Sequence, residues 1–251
     1  MNEQPTIKHQ AREIFAAALD AVDAGRALRA AVRRYDARLE IVDDEFDLDA
    51  FEQICAVGLG KAASALASAL GEILGARLTR GIVSAPAGQL TLSPRWQVFA
   101  GGHPLPNEAS LAAGRAARDM LRAADANDTL LVFLISGGGS AMLELPRDER
   151  ITLADLRATN HALVNCGAPI SEVNTVRRAL SAIKGGGLSA LAPRATQVSL
   201  IVSDTNPHER GRAGCIGADL RARRRRDATG RKDHRAVQLA RTVAHDSAAR
   251  T

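Results

Sequence analysis

The sequence predicts an α/β fold in three layers, α/β/α, with a mostly parallel sheet over residues 1–204. Short apolar runs alternate with segments whose apolar residues recur every three or four positions, which indicates that strands alternate with helices. The run at residues 130–135 is apolar throughout, and only a strand covered on both faces hides every side chain. The chain is 46% hydrophobic but only 3% aromatic, and small aliphatic side chains suit helices packed on a parallel sheet.

Each predicted strand is a short apolar run bounded by Gly, Pro or polar residues. The acidic segment 43–49 is instead predicted to be a solvated loop. The predicted strands cover residues 54–57, 78–84, 96–100, 130–135 and 198–202.

Helices are predicted where apolar residues recur at helical spacing. Asn107, Thr152 and Ser171 each stand at the start of such a segment, where their side chains can accept hydrogen bonds from the first free N–H groups. The predicted helices cover residues 7–22, a shorter stretch through residue 32, and residues 63–74, 107–123, 152–166 and 171–184.

The character of the chain changes at residue 204. Residues 205–251 hold 12 Lys and Arg against 5 Asp and Glu, whereas residues 1–204 hold 21 against 23. Because the tail has few large apolar residues and no aromatic one, we expect a disordered extension with a short helix over 236–244. The positive charge belongs to this tail, so the body gives no reason to expect a nucleic-acid partner.

The composition also excludes several classes of protein. Cys55, Cys166 and Cys215 stand far apart without CxxC spacing, so neither a disulfide framework nor a zinc site is indicated, and we expect Cys55 and Cys166 in the core. No apolar run approaches the roughly 18 residues of a membrane span, and the N-terminus lacks an apolar signal core. We expect a cytoplasmic protein with no membrane partner; the sequence leaves the oligomeric state open, a homo-oligomer included.

A glycine-rich turn follows the central strand at residues 136–140. Its glycines allow positive φ and close approach of a ligand, and successive N–H groups in such a turn form an anion-sized concavity. The turn lies at the carboxyl end of a parallel strand, where open α/β sheets bind ligands. A sharp strand-to-helix turn without a ligand is the alternative. The turn consists of Ser136, Gly137, Gly138, Gly139 and Ser140.

Lys61 follows a buried strand and enters the N-terminus of a helix. An amine there would reinforce an anion site and could neutralise the oxygens of a transferred phosphoryl group. The sequence around it, Gly-Leu-Gly-Lys-Ala-Ala, is a weak match to a dinucleotide fingerprint and lacks the spacing of a P-loop. An exposed lysine in the first turn of a helix is the alternative.

A polar stripe lies beside the apolar face of the helix predicted at 171–184. Amide, guanidinium, hydroxyl and ammonium groups in such a stripe could line a cleft that binds phosphates or a carboxylate. A solvated helix face is the alternative, but a second flexible turn at Gly185 and Gly186 follows and favours a site. The stripe consists of Asn174, Arg177, Ser181 and Lys184.

Two further residues are candidates. His103, between two glycines and a proline, could act as a general base or orient a substrate, and an ordinary loop histidine is the alternative. Asp204, at the end of the last predicted strand, could hold Mg²⁺ at the same sheet edge, or form a turn.

With these residues together, the chain resembles the class II glycerate kinases, the glycerate 2-kinase family whose members are often named hydroxypyruvate reductase. The resemblance implies ATP as phosphoryl donor, D-glycerate as acceptor and Mg²⁺ as the accompanying ion. The matching stretches are VGLGKAA at 57–63, GGHPLPNEAS at 101–110, LISGGGSAML at 134–143, EVNTVRRALSAIKGGGL at 172–188 and LIVSD at 200–204.

The resemblance also implies roles for the residues. Lys61 matches the family's catalytic lysine, and the turn at 136–140 matches a phosphate-binding element. The segment around Lys184 and the following glycines is expected to bind the cofactor as well. The residues expected to bind D-glycerate are His103, Asn107, Asn174 and Arg177.

The resemblance ends at residue 204. Family members continue with a Pro-Gly-Asp-Asp-type loop and a leucine-rich C-terminal domain that supplies an arginine to the active site, whereas here Thr205, Asn206 and Pro207 lead into the Arg-rich tail. We therefore expect a truncated, frameshifted family member with a 1–204 domain and a 205–251 tail. The sequence leaves open whether such a truncated chain catalyses the phosphorylation of glycerate. A non-catalytic nucleotide- or anion-binding fragment and a hydroxypyruvate reductase are the alternatives.

Overall fold

A computed structural model describes residues 6–42, 44–88, 91–202 and 234–238. No helix among these residues is long and apolar enough to cross a membrane. The helices are α1 (Ile7–Ala21), α2 (Ala24–Ala31), α3 (Ala63–Leu74), α4 (Glu108–Ala123), α5 (Gly139–Met142), α6 (Leu153–Asn165) and α7 (Ile170–Leu180).

The strands form two sheets. Strands β1 to β3 form an antiparallel sheet, and the others form a parallel sheet in the order β6-β5-β4-β7-β8-β9. This arrangement confirms the predicted α/β fold. The strands are β1 (Val32–Tyr35), β2 (Arg38–Ile41), β3 (Asp44–Asp47), β4 (Gln53–Leu59), β5 (Arg80–Ala85), β6 (Trp96–Ala100), β7 (Thr129–Ile135), β8 (Thr196–Ile201) and β9 (His234–Gln238).

Strand β7 is buried along its whole length, as its apolar sequence predicts. Its side chains alternate between the two faces of the sheet because successive strand residues point to opposite sides. The face that packs with α2 and α3 receives Leu130, Val132 and Leu134, and the face that packs with α4 receives Leu131, Phe133 and Ile135.

The small antiparallel sheet corrects the prediction of a solvated loop at 43–49. Asp44–Asp47 pairs with Arg38–Ile41, and the side chains of Leu39 and Ile41 are fully buried. Phe46 packs against the same core. Most residues of β3 are acidic, so its composition predicts a solvated loop even though its side chains alternate between the two faces of the sheet.

The helix predicted to run to Lys184 ends earlier. Helix α7 stops at Leu180, and Ser181 is extended. The chain there pairs with the segment after α5, since Arg147 N donates to Leu180 O at 2.9 Å and Ala182 N donates to Leu145 O at 2.8 Å. These tertiary hydrogen bonds override helix propensity, so Ser181 and Lys184 do not lie on a helix face with Arg177.

Two smaller predictions also change. Cys55 is buried as expected, but Cys166 is exposed because it follows the C-terminal end of α6 at the surface. A short helix was expected over 236–244; residues 236–238 belong instead to β9, which pairs with β8 at the sheet edge. The remainder of that predicted helix lies outside the described residues.

Candidate functional site

Two chain turns meet at the carboxyl edge of the parallel sheet, one after β4 and one after β7. Ser136 N donates to Leu59 O at 3.0 Å, Lys61 N donates to Gly137 O at 2.8 Å, and Ala62 N donates to the Ser136 hydroxyl at 3.0 Å. Because β4 and β7 are adjacent parallel strands, these bonds tie the first turn to the second. Lys61 is thereby held at the rim of the site.

Two glycines make this close approach feasible. Gly60 has a φ of 112°, and a Cβ there would lie 2.4 Å from Ser136 O. Gly138 has a φ of 85°, and a Cβ there would lie 2.7 Å from His103 Cδ2. Both positions therefore need glycine, for backbone conformation and for space.

A cavity of about 300 Å³ lies between these turns and the helix pair α6–α7. It gathers residues from five parts of the sequence. The predicted residues that line it are Lys61, His103, Gly137, Gly138, Ser140, Arg177 and Lys184.

Other predicted residues lie nearby but do not line this cavity. Ser136 ties the two turns together, and Gly139 begins α5 against Leu59. The side chain of Asn107 caps α4: its oxygen accepts from Ser110 N at 2.8 Å and its nitrogen donates to Ala100 O at 2.9 Å. Asn107 is thus engaged in holding the fold.

The remaining predicted residues lie away from the cavity or outside the described residues. Asn174 is half-buried on α7 and is not among the lining residues. Gly185 and Gly186 have positive φ values of 67° and 90° and turn the chain immediately after Lys184. Asp204 lies outside the described residues.

Glu144 is a lining residue that is not predicted from the sequence. The residue as a whole is 4% exposed, and its carboxylate forms an ion pair with the Lys184 ammonium. Its Oε1 accepts from the Ser181 hydroxyl at 2.6 Å and from Leu145 N at 2.9 Å. The signal in the sequence was a single acid inside an apolar stretch directly after the glycine-rich turn.

The charges of the cavity are set by this pair and by Arg177. Burial lowers the pKa of the Lys184 ammonium, while the Glu144 carboxylate opposes the shift and Arg177 adds to it. Partial burial also lowers the pKa of Arg177, whose Nε donates to Asn160 Oδ1 at 2.8 Å. The cavity thus combines a buried ion pair with cationic side chains at its wall and rim.

A family model described as "Domain of unknown function (DUF4147)" matches residues 10–209. The chain belongs to this family. The resemblance to glycerate kinases is confirmed: the chain is 37% identical to a glycerate kinase of Rattus norvegicus over 81% of its own length and 41% of the relative's. It is also 37% identical to a glycerate 2-kinase of Pyrococcus horikoshii over 74% of this chain and 41% of that protein.

A solved structure agrees with this membership. A crystal structure of a protein from Pyrococcus horikoshii matches with a TM-score of 0.70 at 33% identity, covering 83% of this chain and 46% of that one. The chain spans about two fifths of the length of the curated relatives it matches.

Mg²⁺, the ion that the resemblance to glycerate kinases implies, requires a set of oxygen ligands, usually one or two carboxylates with phosphate oxygens and water. Among the described residues, no group of three or more His, Cys, Asp or Glu side chains could hold a metal. Glu144, which lines the cavity, is already bonded to Lys184 and Ser181. The described residues therefore do not form a Mg²⁺ site by themselves.

Proposed function

We propose that this chain carries the phosphate- and glycerate-binding part of an ATP-dependent glycerate kinase that forms 2-phosphoglycerate. The observation that supports this most is the convergence of Lys61, the Gly137–Gly138 turn, Arg177 and Lys184 on one cavity at the carboxyl edge of a parallel sheet. The relatives named glycerate kinase support the choice of substrate.

Phosphoryl transfer asks little covalent chemistry of a protein and much placement of positive charge. In this proposal Lys61, exposed at the rim, neutralises oxygens of the transferred phosphoryl group, and the glycine-rich turn receives the phosphates. Arg177 receives the carboxylate of D-glycerate, because a guanidinium matches a carboxylate with two parallel hydrogen bonds. His103, packed against Gly138, orients the substrate.

In this proposal Mg²⁺ is bound mainly by the ATP phosphates, whose charge it would neutralise. Asp204 is the residue proposed to hold it. Ser136, Gly139, Gly185 and Gly186 act in this proposal through the backbone geometry of the two turns.

A coupled assay tests the function on the full chain. We expect ADP release that depends on both D-glycerate and Mg²⁺ and that is lost in Lys61→Ala. Lys8→Ala is the matched control, because Lys8 is an exposed lysine on α1. NADH oxidation with hydroxypyruvate would instead support a reductase, the name given to a relative of Agrobacterium vitis at 43% identity over 59% of this chain.

Binding is measured separately from turnover, since the relatives' activity belongs to chains more than twice as long. ATP binding without turnover by either assay would support an anion-binding fragment. Absence of ATP and D-glycerate binding would contradict the proposal.

A further inference from the structure

The ion pair between Glu144 and Lys184 is unusual in its position. Both side chains are 6% exposed, yet both line the cavity. A lysine buried in a protein loses its proton readily unless a partner compensates the charge. The site therefore contains a cation that depends on its neighbour for its charge.

Glu144 is fixed on the side away from Lys184. Its Oε1 accepts two hydrogen bonds, from the Ser181 hydroxyl and from Leu145 N, while Oε2 faces the Lys184 ammonium. The Ser181 hydroxyl in turn accepts from Ile183 N at 3.4 Å and Lys184 N at 3.3 Å. The carboxylate is held by three partners, so its orientation is set before any ligand arrives.

We propose that Glu144 is a positioning residue that holds the Lys184 ammonium in the cavity as a cation, ready to receive an anionic group of the ligand. An ammonium carries three N–H donors; one is directed at Glu144, and within the described part of the chain the other two are available to a phosphate or carboxylate. The proposal rests on the proposed function for the identity of that ligand. It extends the function by giving a role to a carboxylate within a phosphate-binding site, where a negative charge alone would repel the ligand.

Among the described residues, three other charged or titratable groups bear on the test. Arg177 acts on Lys184 directly and lowers its pKa. Lys61 and His103 line the same cavity. These groups are unchanged in the variants below, so a change in the titration of Lys184 is assigned to Glu144.

The test is the substitution Glu144→Gln, which keeps the shape of the side chain and removes its charge. Acetic anhydride labelling across a pH series, with each lysine quantified by mass spectrometry, reports the pKa of Lys184 without any ligand. We expect this pKa to fall by about one pH unit or more, the effect of removing an opposite charge at contact distance. Glu149→Gln, an exposed acid on the same segment, should leave it unchanged.

Calorimetry with orthophosphate and with D-glycerate gives the second readout. We expect Glu144→Gln to weaken binding by about 10- to 100-fold at pH values above the pKa that the labelling series gives for Lys184 in the variant, the value of a hydrogen bond to a charged group. The weakening should diminish as the pH is lowered through that pKa and Lys184 regains its proton. A structural role alone would not produce this pH dependence.

The outcomes separate the two claims. An unchanged pKa of Lys184 in Glu144→Gln would overturn the positioning role. If that pKa falls but the wild-type chain binds neither of these probes nor ATP, the pairing stands and the proposed function is rejected. Should Glu144→Gln fail to fold, Glu144→Asp decides: it keeps the charge but withdraws it from the ammonium, and a smaller fall of the same pKa is expected, whereas no fall overturns the role.

Discussion

Replacing Gly60 by alanine should separate the two turns that hold Lys61. Gly60 N donates to Ser84 O at 3.1 Å, and Gly60 O accepts from Ala63 N at 3.1 Å. The residue is thus fixed on both sides by backbone hydrogen bonds. A new Cβ would meet Ser136 O at 2.4 Å and the Ser136 hydroxyl at 2.5 Å, so the clash is with the neighbouring turn and cannot be relieved by turning a flexible side chain.

The cost has three parts. A left-handed backbone costs a non-glycine residue about 1–2 kcal/mol. Crowding a packed region typically costs about 1–3 kcal/mol more. Alanine also reduces the backbone freedom of the unfolded chain, which offsets about 0.4–1 kcal/mol of this destabilisation. We therefore expect Gly60→Ala to lower the free energy of unfolding by about 1–5 kcal/mol.

Gly167→Ala is the matched control. Gly167 has a similar positive φ of 70°, but a Cβ there has nothing within 4 Å. Only the cost of the left-handed backbone and the offset from the unfolded chain remain, so the expected loss of unfolding free energy is about 1.5 kcal/mol or less. Urea unfolding followed by circular dichroism measures both, and ATP affinity should fall only in Gly60→Ala. Equal destabilisation by the two variants would refute the packing of the turns described above.

Three further predictions test other parts of the structure. Phe133→Ala should cost about 3–5 kcal/mol in urea unfolding, because Phe133 is fully buried in β7. Hydrogen bonds from Thr152 hold the pKa of Asp155 below its usual value. The stability that Asp155 contributes is therefore lost as the pH falls through that lowered pKa, and in Asp155→Asn the free energy of unfolding should fall less steeply with decreasing pH below about pH 4. Iodoacetamide should label exposed Cys166 in the folded chain but not buried Cys55, whose pKa is raised by burial, as peptide mass mapping would show.

The parallel sheet and the turn at its centre were predictable because each depends on a short, continuous stretch of sequence. An uninterrupted apolar run such as that of β7 is stable mainly as a strand buried on both faces, and the three glycines after it indicate the turn. The position of Lys61 followed from the same reasoning, since it comes directly after a second buried strand.

The parts that could not be predicted depend on contacts between distant segments. Helix propensity continues past Leu180, but backbone hydrogen bonds to residues 145 and 147 draw the chain out of the helix. The role of Asn107 as a helix cap was predicted, yet its second bond to Ala100 O depends on the loop geometry. Glu144 became a site residue only when the fold brought Lys184 beside it.

The most direct test of the account is an amide chemical-shift map of the isotope-labelled full chain titrated with ATP and then with D-glycerate. We predict that the largest shifts cluster at Lys61, Gly137, Gly138 and Lys184, which come from three separate parts of the sequence and line one cavity. Largest shifts in the β1–β3 sheet or along α1, with these four amides unmoved, would contradict a shared phosphate-binding cavity at the carboxyl edge of the sheet.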